Sequence, residues 1–288
     1  MNEIAILSGK GGTGKTSISA AFATLNKNII LADCDVDAAN LHIIMNPVTY
    51  IEESFATGNK AMVNNDLCTL CNQCITYCRF DAISVVDEKL KISSTACDGC
   101  KLCVNICPSD ALSMFVNNKS RFYVGEFRNG TMVHARLSPG EDNSGKLVAY
   151  VKKKAREIAK EKNAEIILVD GPPGIACPVM ATISGADKIV LVTEPTVSGL
   201  SDLQRIITLL KNYKGKIYLI VNKFDINETY TKTILKQAAE QNITVLGNIP
   251  YNRIFTDAMI RCQSVTEFEP NNPISILVEQ MWYHLIEN

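Results

Sequence analysis

The first glycine-rich segment of the chain reads Ser8-Gly9-Lys10-Gly11-Gly12-Thr13-Gly14-Lys15-Thr16. It follows the apolar run Ile4–Leu7 and precedes a sequence that predicts a helix from Ser17. The pattern G-x-x-x-x-G-K-[ST] between a strand and a helix predicts a loop that binds phosphate groups. Its glycines let backbone N–H groups surround phosphate oxygens, and the N-terminus of the helix adds a favourable dipole.

Two side chains of this loop have predicted roles in a nucleotide complex. Lys15 is expected to reach the β- and γ-phosphates, and the hydroxyl of Thr16 is expected to bind Mg²⁺. A second Mg²⁺ contact is expected from Asp170, because it follows the apolar run Glu165–Val169 and therefore lies at a strand end. The loop residues expected to bind the nucleotide are Gly9, Lys10, Gly11, Gly12, Thr13, Gly14, Lys15, Thr16 and Ser17.

The rest of the chain alternates short β-branched runs with helical stretches, which is typical of a parallel sheet covered by helices on both faces. Residues 147–162 predict one such helix, because apolar residues recur at three- and four-residue spacing. The expected fold class is therefore α/β with a mainly parallel sheet. The runs that predict its strands are Ile4–Leu7, Asn28–Ala32, Glu165–Val169, Lys188–Val192, Lys216–Val221 and Ile243–Leu246.

The lysine at position 10 makes the phosphate-binding loop more specific. The pattern K-G-G-x-G-K-T resembles the deviant Walker A motif of the P-loop ATPase family that includes MinD, ParA, the Mrp-type cluster carriers and the nitrogenase iron protein. The chain is similar to this family at four further points. These are the first switch at Asp33–Asn40, the second switch at Asp170–Gly174, the nucleotide-facing strand end at Thr193–Thr196, and the base site at Asn222-Lys223 with Gly247–Pro250.

The resemblance implies an enzyme, a Mg²⁺-dependent ATPase that forms a homodimer when ATP binds. Its expected catalytic residues are Lys10, Lys15 and Asp35. Lys10 would cross to the phosphates bound by the partner subunit, and Asp35 would orient the attacking water. An alternative for Asp35 is an ordinary turn aspartate. Asn222 and Pro250 would contact the base.

The base site also contains a signal for a different nucleotide. Asn222-Lys223-Phe224-Asp225 spells N-K-x-D, the motif with which many GTPases recognise guanine. In that motif the aspartate accepts hydrogen bonds from guanine N1–H and the amino group. The deviant Walker A motif favours ATP, and GTP stays open as the alternative.

Eleven cysteines are unusual for 288 residues, and eight of them lie between Cys68 and Cys107. The N-terminal sequence does not resemble a signal peptide, so we expect metal ligands in a reducing, cytoplasmic compartment. The eight form two runs, Cys68-x₂-Cys71-x₂-Cys74-x₃-Cys78 and Cys97-x₂-Cys100-x₂-Cys103-x₃-Cys107. The residues that follow Cys74 match those that follow Cys103, which indicates a duplicated module.

This double run resembles the bacterial ferredoxins that hold two [4Fe–4S] clusters. In those proteins each run supplies three thiolates to one cluster and a fourth to the other. The resemblance implies two ligand sets, the first being Cys68, Cys71, Cys74 and Cys107, and the second being Cys78, Cys97, Cys100 and Cys103. Zinc is the alternative, because C-x-x-C pairs also suit a tetrahedral ion.

Three segments outside these motifs give further expectations. Cys34, Cys177 and Cys262 are expected to be ordinary packed side chains. Residues 121–146 predict a hairpin and a loop outside the core motifs. Residues 274–288 contain no Lys or Arg, so they favour a helix docked on the sheet over an amphipathic membrane tail.

Charge and length limit the partners and the domain organisation. The formal net charge is −1, which gives no electrostatic footprint for nucleic acid or an anionic membrane. No apolar run approaches the ~20 residues needed to span a bilayer. We therefore expect protein partners, among them a redox partner, and neither nucleic acid nor membrane insertion. The predicted domains are an ATPase domain in two parts, residues 1–60 and 113–288, and an inserted ferredoxin module, residues 61–112.

Together these features predict an ATP-hydrolysing iron–sulfur protein. The preferred hypothesis couples a nucleotide-driven dimer switch to electron transfer through two [4Fe–4S] clusters. One alternative is a cluster assembly or carrier ATPase, whose clusters are cargo. The other is a positioning or scaffold ATPase, whose ferredoxin module docks a redox partner.

Overall fold

The computed structural model describes residues 1–56, 58–141 and 143–287, and within them the strands form one large sheet and two short ribbons. The large sheet contains β1 (Asn2–Ser8), β2 (Ile29–Asp33), β3 (Val48–Phe55), β8 (Ser120–Phe127), β9 (Gly130–Arg136), β10 (Ile166–Pro173), β11 (Lys188–Thr193), β12 (Lys216–Asn222) and β13 (Thr244–Ile249). The ribbons pair β4 (Gly58–Val63) with β7 (Leu112–Asn117), and β5 (Ile83–Val86) with β6 (Lys89–Ile92).

Seven neighbouring strands of the large sheet are parallel, which confirms the predicted α/β class. Their order is β13-β12-β11-β1-β10-β2-β9, so β1 lies near the centre. All six apolar runs that predicted strands lie in this parallel part. Because the carboxyl ends of parallel strands share one edge, the ends of β1, β2, β10, β11 and β12 converge on the phosphate-binding loop.

The other edge of the sheet was not predicted. Strands β8 and β9 form an antiparallel hairpin that joins the large sheet through β9, and β3 completes it next to β8. The hairpin that was expected within residues 121–146 is present as β8 and β9, and the structure adds that it belongs to the large sheet, with Phe122, Val124 and Val133 buried. β9 is buried along nearly its whole length, so its sequence does not show the alternation of a half-exposed strand. Asp142, in the loop of the same segment, lies outside the described residues.

Helices cover both faces of the sheet and create two apolar cores. One core packs α5 (Ser144–Glu161), α6 (Cys177–Ile183), α7 (Val197–Leu209) and α8 (Glu228–Glu240) against the sheet. The other packs α1 (Lys15–Thr24), α2 (Leu41–Met45), α9 (Ile254–Ile260), α10 (Val265–Phe268) and α11 (Pro273–Glu287). Alternate β1 side chains serve the two cores: Ala5 and Leu7 face the first, and Ile4 and Ile6 the second.

The C-terminal helix docks on the sheet as its sequence predicts. Trp282 of α11 is fully buried and packs 5.0 Å from the ring of Phe22 on α1. No helix within the described ranges is long and apolar enough to cross a membrane.

The cysteine-rich segment forms a small module beside the edge strands. Ribbon β4–β7 stands at its base, and the duplicated part contains ribbon β5–β6 with α3 (Gln73–Thr76) and α4 (Leu102–Asn105). Its apolar core is limited to Cys74, Ala82, Ile83, Leu90 and Leu112, with further cysteines packed around it. The boundaries 1–60, 61–112 and 113–288 stay predictions.

Candidate functional site: a nucleotide loop and a cysteine module

The phosphate-binding loop joins β1 to α1, and its glycines have the conformations that such a loop requires. Gly12 and Gly14 have φ values of 80° and 91°, in the left-handed region that favours glycine. A Cβ at Gly14 would lie 2.3 Å from Nδ2 of Asn222. Asn222 donates a hydrogen bond from that atom to the carbonyl of Thr13 at 2.7 Å. The end of β12 therefore packs directly against the loop.

The remaining loop residues follow the predicted course. Gly9 approaches α7 so closely that a Cβ there would lie 2.3 Å from the Cβ of Asp202. A Cβ at Gly11 would have open space around it, and Thr13 is buried. Ser17 lies in the first turn of α1. The helix begins at Lys15 rather than at the predicted Ser17, so the lysine itself is part of the helix N-terminus.

The two residues predicted to bind Mg²⁺ are in direct contact. Thr16 donates from Oγ1 to Oδ2 of Asp170 at 2.9 Å, while Nζ of Lys15 lies 2.9 Å from Oδ1 of Asp170. Ser19 also donates to Oδ1 of Asp170, at 2.6 Å. Asp170 is fully buried, so one cation and two hydroxyl groups compensate its carboxylate. A hydroxyl and a carboxylate form the oxygen donor set that Mg²⁺ prefers.

A second carboxylate, that of Asp33, lies at the end of β2 opposite Asp170 in the neighbouring strand. Burial and then the charge of Asp170 raise the pKa of Asp33 to about 8. Its Oδ2 has no hydrogen-bond partner among the described residues. Burial also raises the pKa of Asp35, whose backbone N–H donates to Oδ1 of Asp33 at 3.1 Å. Acidic groups held close together in this way suit a divalent cation, which would favour their ionised forms.

Lys10 is held within its own subunit by residues that follow β11. Its Nζ lies 2.7 Å from Oε1 of Glu194 and donates to the hydroxyls of Thr196 at 3.2 Å and Ser198 at 2.9 Å. Glu194 also pairs with Lys223 at 2.9 Å. Burial alone would raise the pKa of Glu194, but hydrogen bonds from both lysines lower it. Lys10 would have to leave these partners to reach a second subunit.

The predicted base residues lie beside the loop at the ends of β12 and β13. Asn222 ends β12, and Pro250 directly follows β13. Lys223 donates from Nζ to the carbonyl of Gly12 at 3.0 Å, which ties this side of the site to the loop. Asp225 accepts a hydrogen bond from the backbone N–H of Tyr251 at 2.7 Å.

The module contains two cavities, each lined by four cysteines. The cysteines of one cavity are Cys68, Cys71, Cys74 and Cys107. Those of the other are Cys78, Cys97, Cys100 and Cys103. We call these the first and second cysteine sites. Each site therefore takes three thiols from one sequence run and the fourth thiol from the other, which is the exchange that the ferredoxin resemblance implies.

The thiols of each site surround a space instead of meeting at one point. Across the described residues, no three His, Cys, Asp or Glu side chains are close enough to hold a metal ion directly. Burial raises the pKa of Cys74 and of Cys103. Burial also acts on Cys107, but hydrogen bonds from Ser109 and from backbone N–H groups, including that of Ala111 at 3.3 Å, lower its pKa. Those donors stabilise the thiolate, which is the form that binds iron.

Comparison with known proteins identifies the family of the chain. Residues 4–265 match the CobQ/CobB/MinD/ParA nucleotide binding domain. The chain belongs to this family. It is 36% identical over 237 residues to an uncharacterized protein of Methanocaldococcus jannaschii, a match that covers 78% of this chain and 79% of that protein. It is also 26% identical over 215 residues to the septum site-determining protein MinD of Bacillus subtilis, covering 72% of this chain and 59% of that protein.

Solved structures of MinD have the same fold. The cell division ATPase MinD of Pyrococcus furiosus superposes with a TM-score of 0.60 at 17% identity, covering 99% of this chain and 98% of that one. MinD of Pyrococcus horikoshii, solved with Mg-ADP, superposes with a TM-score of 0.57 at 18% identity, covering 99% and 95%. At these identities the likeness establishes the MinD/ParA fold.

Two of the cysteines outside the module do not have the predicted environment. Cys34 directly follows β2, within the first switch, and is fully buried as expected. Cys177 and Cys262 are exposed, so the expectation that they are packed side chains was wrong. Cys177 is the first residue of α6. Cys262 has a φ of 53° and lies in the turn after α9.

Three contacts of the MinD/ParA site were missed from the sequence. They are the position of Asp33 opposite Asp170, the hydrogen bond from Ser19 to Asp170, and the ion pair between Glu194 and Lys10. Asp33 could have been found, because it stands two residues before Asp35 at the end of an apolar run. Ser19 could have been found from its spacing, since it lies one helical turn after Lys15. Glu194 is 184 residues from Lys10, and no local pattern links the two.

Proposed function

We propose that this MinD/ParA-family protein is a Mg²⁺-dependent ATPase whose dimer switch acts on a module that holds two [4Fe–4S] clusters and transfers electrons. It shares its family with ATPases, and a structural relative was solved with Mg-ADP. Thr16, Asp170 and Asp33 would hold the cation, and Lys15 would neutralise phosphate charge. Asp35 would orient water near its own subunit's nucleotide.

ATP is favoured over GTP by the state of the N-K-x-D segment. Asp225, the residue that would accept from guanine, already accepts from the backbone of Tyr251 at 2.7 Å. Lys223 is likewise occupied by Glu194 and the loop carbonyl of Gly12. Asn222, which also donates to the carbonyl of Thr13, and Pro250 are the residues that we propose beside adenine. Competition between ATP and GTP for the purified protein tests this choice.

The dimer switch is supported by the present partners of Lys10. Inside one subunit the lysine is balanced by Glu194 and two hydroxyls. A γ-phosphate bound in a second subunit would carry more negative charge than Glu194 and would attract Lys10 more strongly. ATP would then bind the dimer more tightly than the monomer, and this difference in affinity would favour the dimer. Lys10→Ala is expected to abolish ATP-dependent dimerisation and hydrolysis while monomers still bind nucleotide. Unchanged turnover would falsify this role.

The observation that supports the clusters is the grouping of eight cysteines around two cavities, in the exchanged ferredoxin pattern. A single zinc ion requires four thiolates within ~2.3 Å of one point. Four cysteines line each cavity, in the ligand number and exchanged order of a two-cluster ferredoxin, and zinc stays the alternative. A [4Fe–4S] cluster at each site would supply one-electron chemistry at low potential. The chain's thiolates would hold the clusters, and its apolar surroundings would limit solvent.

A second candidate function is a positioning or scaffold ATPase. The comparisons favour this candidate, because the named relatives are septum site-determining proteins and one solved structure is a complex of MinC with MinD. The module would then dock a partner, and the clusters would be structural. In that case ATP-dependent behaviour should survive the loss of electron transfer.

One experiment separates these candidates from each other and from a cluster carrier. The full chain is purified without oxygen and analysed for iron and sulfide, and its clusters are titrated by EPR with ADP and with a non-hydrolysable ATP analogue. About eight irons per chain and a nucleotide-dependent potential support the proposed function. Potentials that ignore nucleotide favour the scaffold. Transfer of clusters to an acceptor apo-protein favours the carrier. Zinc in place of iron rejects the cluster assignment.

A further inference from the structure

The two cysteine sites differ in how they are connected to the rest of the protein. Within the described residues, the hydrogen bonds of the first cysteine loop, residues 64–74, join partners inside the module, such as Leu90 and Ala111. The second loop, residues 93–103, packs against β4 and against the turn 137–141. A nucleotide signal that travels through packed contacts would therefore reach the second site first.

The second loop approaches its neighbours at two glycines. A Cβ at Gly99 would lie 2.0 Å from the carbonyl oxygen of Asn59 on β4. A Cβ at Gly140 would lie 2.4 Å from the carbonyl oxygen of Thr95. Both glycines have positive φ, 74° and 73°. The loop that supplies Cys97 and Cys100 is thus held between β4 and the turn, with no space for a side chain at either contact.

Lys60 connects these parts at one point. Its side chain is buried, and Nζ donates to the carbonyls of Cys97 at 2.6 Å and Gly140 at 2.8 Å. Its charge is balanced by Glu141, whose Oε1 lies 3.6 Å away and also accepts from Asn117. A buried ammonium group needs such partners, and its removal leaves carbonyls without donors.

The turn that Lys60 contacts also touches the first switch. The backbone N–H of Leu137 donates to the carbonyl of Val36 at 2.9 Å. Val36 is buried and directly follows Asp35. Only three residues, 138–140, separate Leu137 from Glu141 along the chain. A displacement of the first switch would therefore pull on the turn, on Lys60 and on the backbone of Cys97.

We propose that Lys60 is a positioning residue that transmits the nucleotide state of the first switch to the second cysteine site, and not to the first. This inference rests on the proposed function, since it requires a cluster held by Cys78, Cys97, Cys100 and Cys103. Movement of the Lys60 charge relative to that cluster changes the relative stability of its oxidised and reduced forms. By linkage, the cluster's redox state changes the affinity for nucleotide by the same factor.

The test is an EPR-monitored redox titration of the anaerobic full chain with ADP or a non-hydrolysable ATP analogue. Cys71→Ser removes a ligand from the first site only and so assigns the two potentials. In the wild type we expect the second cluster alone to respond, with about a tenfold difference in nucleotide affinity between its redox states, equivalent to about 59 mV for one electron. Lys60→Met is expected to reduce this factor to below about twofold.

Lys91→Met is the matched control, because Lys91 lies in the same module and its side chain is largely exposed. It should keep the wild-type response, as should the conservative change Lys60→Arg at least in part. A wild-type response that persists in Lys60→Met overturns the inference. A response at the first cluster also overturns it. Absence of clusters, or wild-type potentials that ignore nucleotide, instead rejects the proposed function.

Hydrogen exchange supplies a readout that does not depend on the variant folding. In the wild-type holoprotein, exchanging ADP for the ATP analogue should change protection in residues 93–101 and 136–141. Residues 64–74 should not change. Equal changes in both cysteine loops, or none in residues 93–101, would contradict the proposed route even if Lys60→Met failed to load its cluster.

Discussion

The nucleotide site and the cysteine module are built in different ways. The nucleotide site rests on a nine-stranded sheet between two large apolar cores, and within one subunit Lys15 pairs with Asp170 and Lys10 pairs with Glu194. The module has five buried apolar residues at its centre, and its thiols surround two cavities. The fold of the sheet and its helices therefore forms the nucleotide site. We expect the module to depend on the proposed clusters for its stability.

This difference in core size indicates where ligand binding contributes to folding. Around 50 residues with so small an apolar core seldom fold alone without a metal or a disulfide. A parallel sheet with covered faces has no such need. We therefore expect cluster loading and nucleotide binding to have separate effects on stability, with Lys60 as one connection between them.

The largest expected effect is the loss of the module's structure when the proposed clusters are removed. In protein stripped of iron by a chelator, exchange protection in residues 61–112 should fall about a hundredfold or more, because metal-dependent folding free energy is lost. Protection of β1 and β10 should persist. Hydrogen exchange with mass spectrometry measures both regions, and Cys262→Ser, an exposed cysteine outside the module, is the control. A module that stays protected without iron would contradict the view that its stability, unlike that of the sheet, depends on bound clusters.

The next effect concerns the preformed pair in the nucleotide site. Lys15→Met removes the cation from buried Asp170 and from the phosphates, so we expect ATP turnover to fall roughly 10²- to 10³-fold. The unpaired carboxylate should also destabilise the ATPase sheet before nucleotide is added. Steady-state hydrolysis and thermal unfolding measure the two consequences. Lys236→Met on the exposed face of α8 should change neither. Normal turnover in Lys15→Met would show that phosphate is bound elsewhere.

Prediction from sequence succeeded where the chemistry lies in contiguous residues. The loop 8–16 specifies its own backbone through Gly12 and Gly14, and the resemblance to two-cluster ferredoxins implied the sets of thiols that line the two cavities. The main sheet was predictable because its strands are apolar runs between helices. A hairpin was expected in residues 121–146, but its place in the sheet was not, because β9 pairs with β2 and β8 pairs with β3, and both partners lie far away in the chain.

Contacts that the topology creates could not be predicted. Glu194 meets Lys10 because β11 lies next to β1, although 184 residues separate them. Lys60 meets Gly140 because the module returns to the sheet beside its point of departure, 80 residues later. A lysine in a short strand shows no sign of burial in the sequence. Long-range polar contacts of this kind depend on the whole fold, whereas motifs depend on neighbours.

An acid sensitivity should belong to the sheet rather than to the module. Burial, and then the charge of His42, lower the pKa of His134 on β9 to about 4, below the ordinary 6.5. The folded protein therefore prefers neutral His134, and its contribution is complete above pH 6.5 and lost as the pH falls towards 4. Between pH 7 and pH 5 we therefore expect the free energy of unfolding to fall by about 2 kcal/mol because of His134. Chemical unfolding of wild type and His134→Phe at both pH values measures it; equal pH dependence in both would exclude His134.

The smallest expected effect tests how firmly Lys10 is held within its own subunit. Glu194→Gln removes the carboxylate shared by Lys10 and Lys223 but keeps a side chain of the same size, so less energy is needed to release Lys10 towards a partner subunit. Because both lysines are partly exposed, the gain should be about 1 kcal/mol, or roughly fivefold tighter ATP-dependent dimerisation. Analytical ultracentrifugation with a non-hydrolysable ATP analogue measures it. Glu240→Gln, on the surface of α8, is the matched control. Weaker dimerisation in Glu194→Gln would show that the carboxylate of Glu194 stabilises the dimer. The ion pair between Glu194 and Lys10 would then not compete with dimerisation.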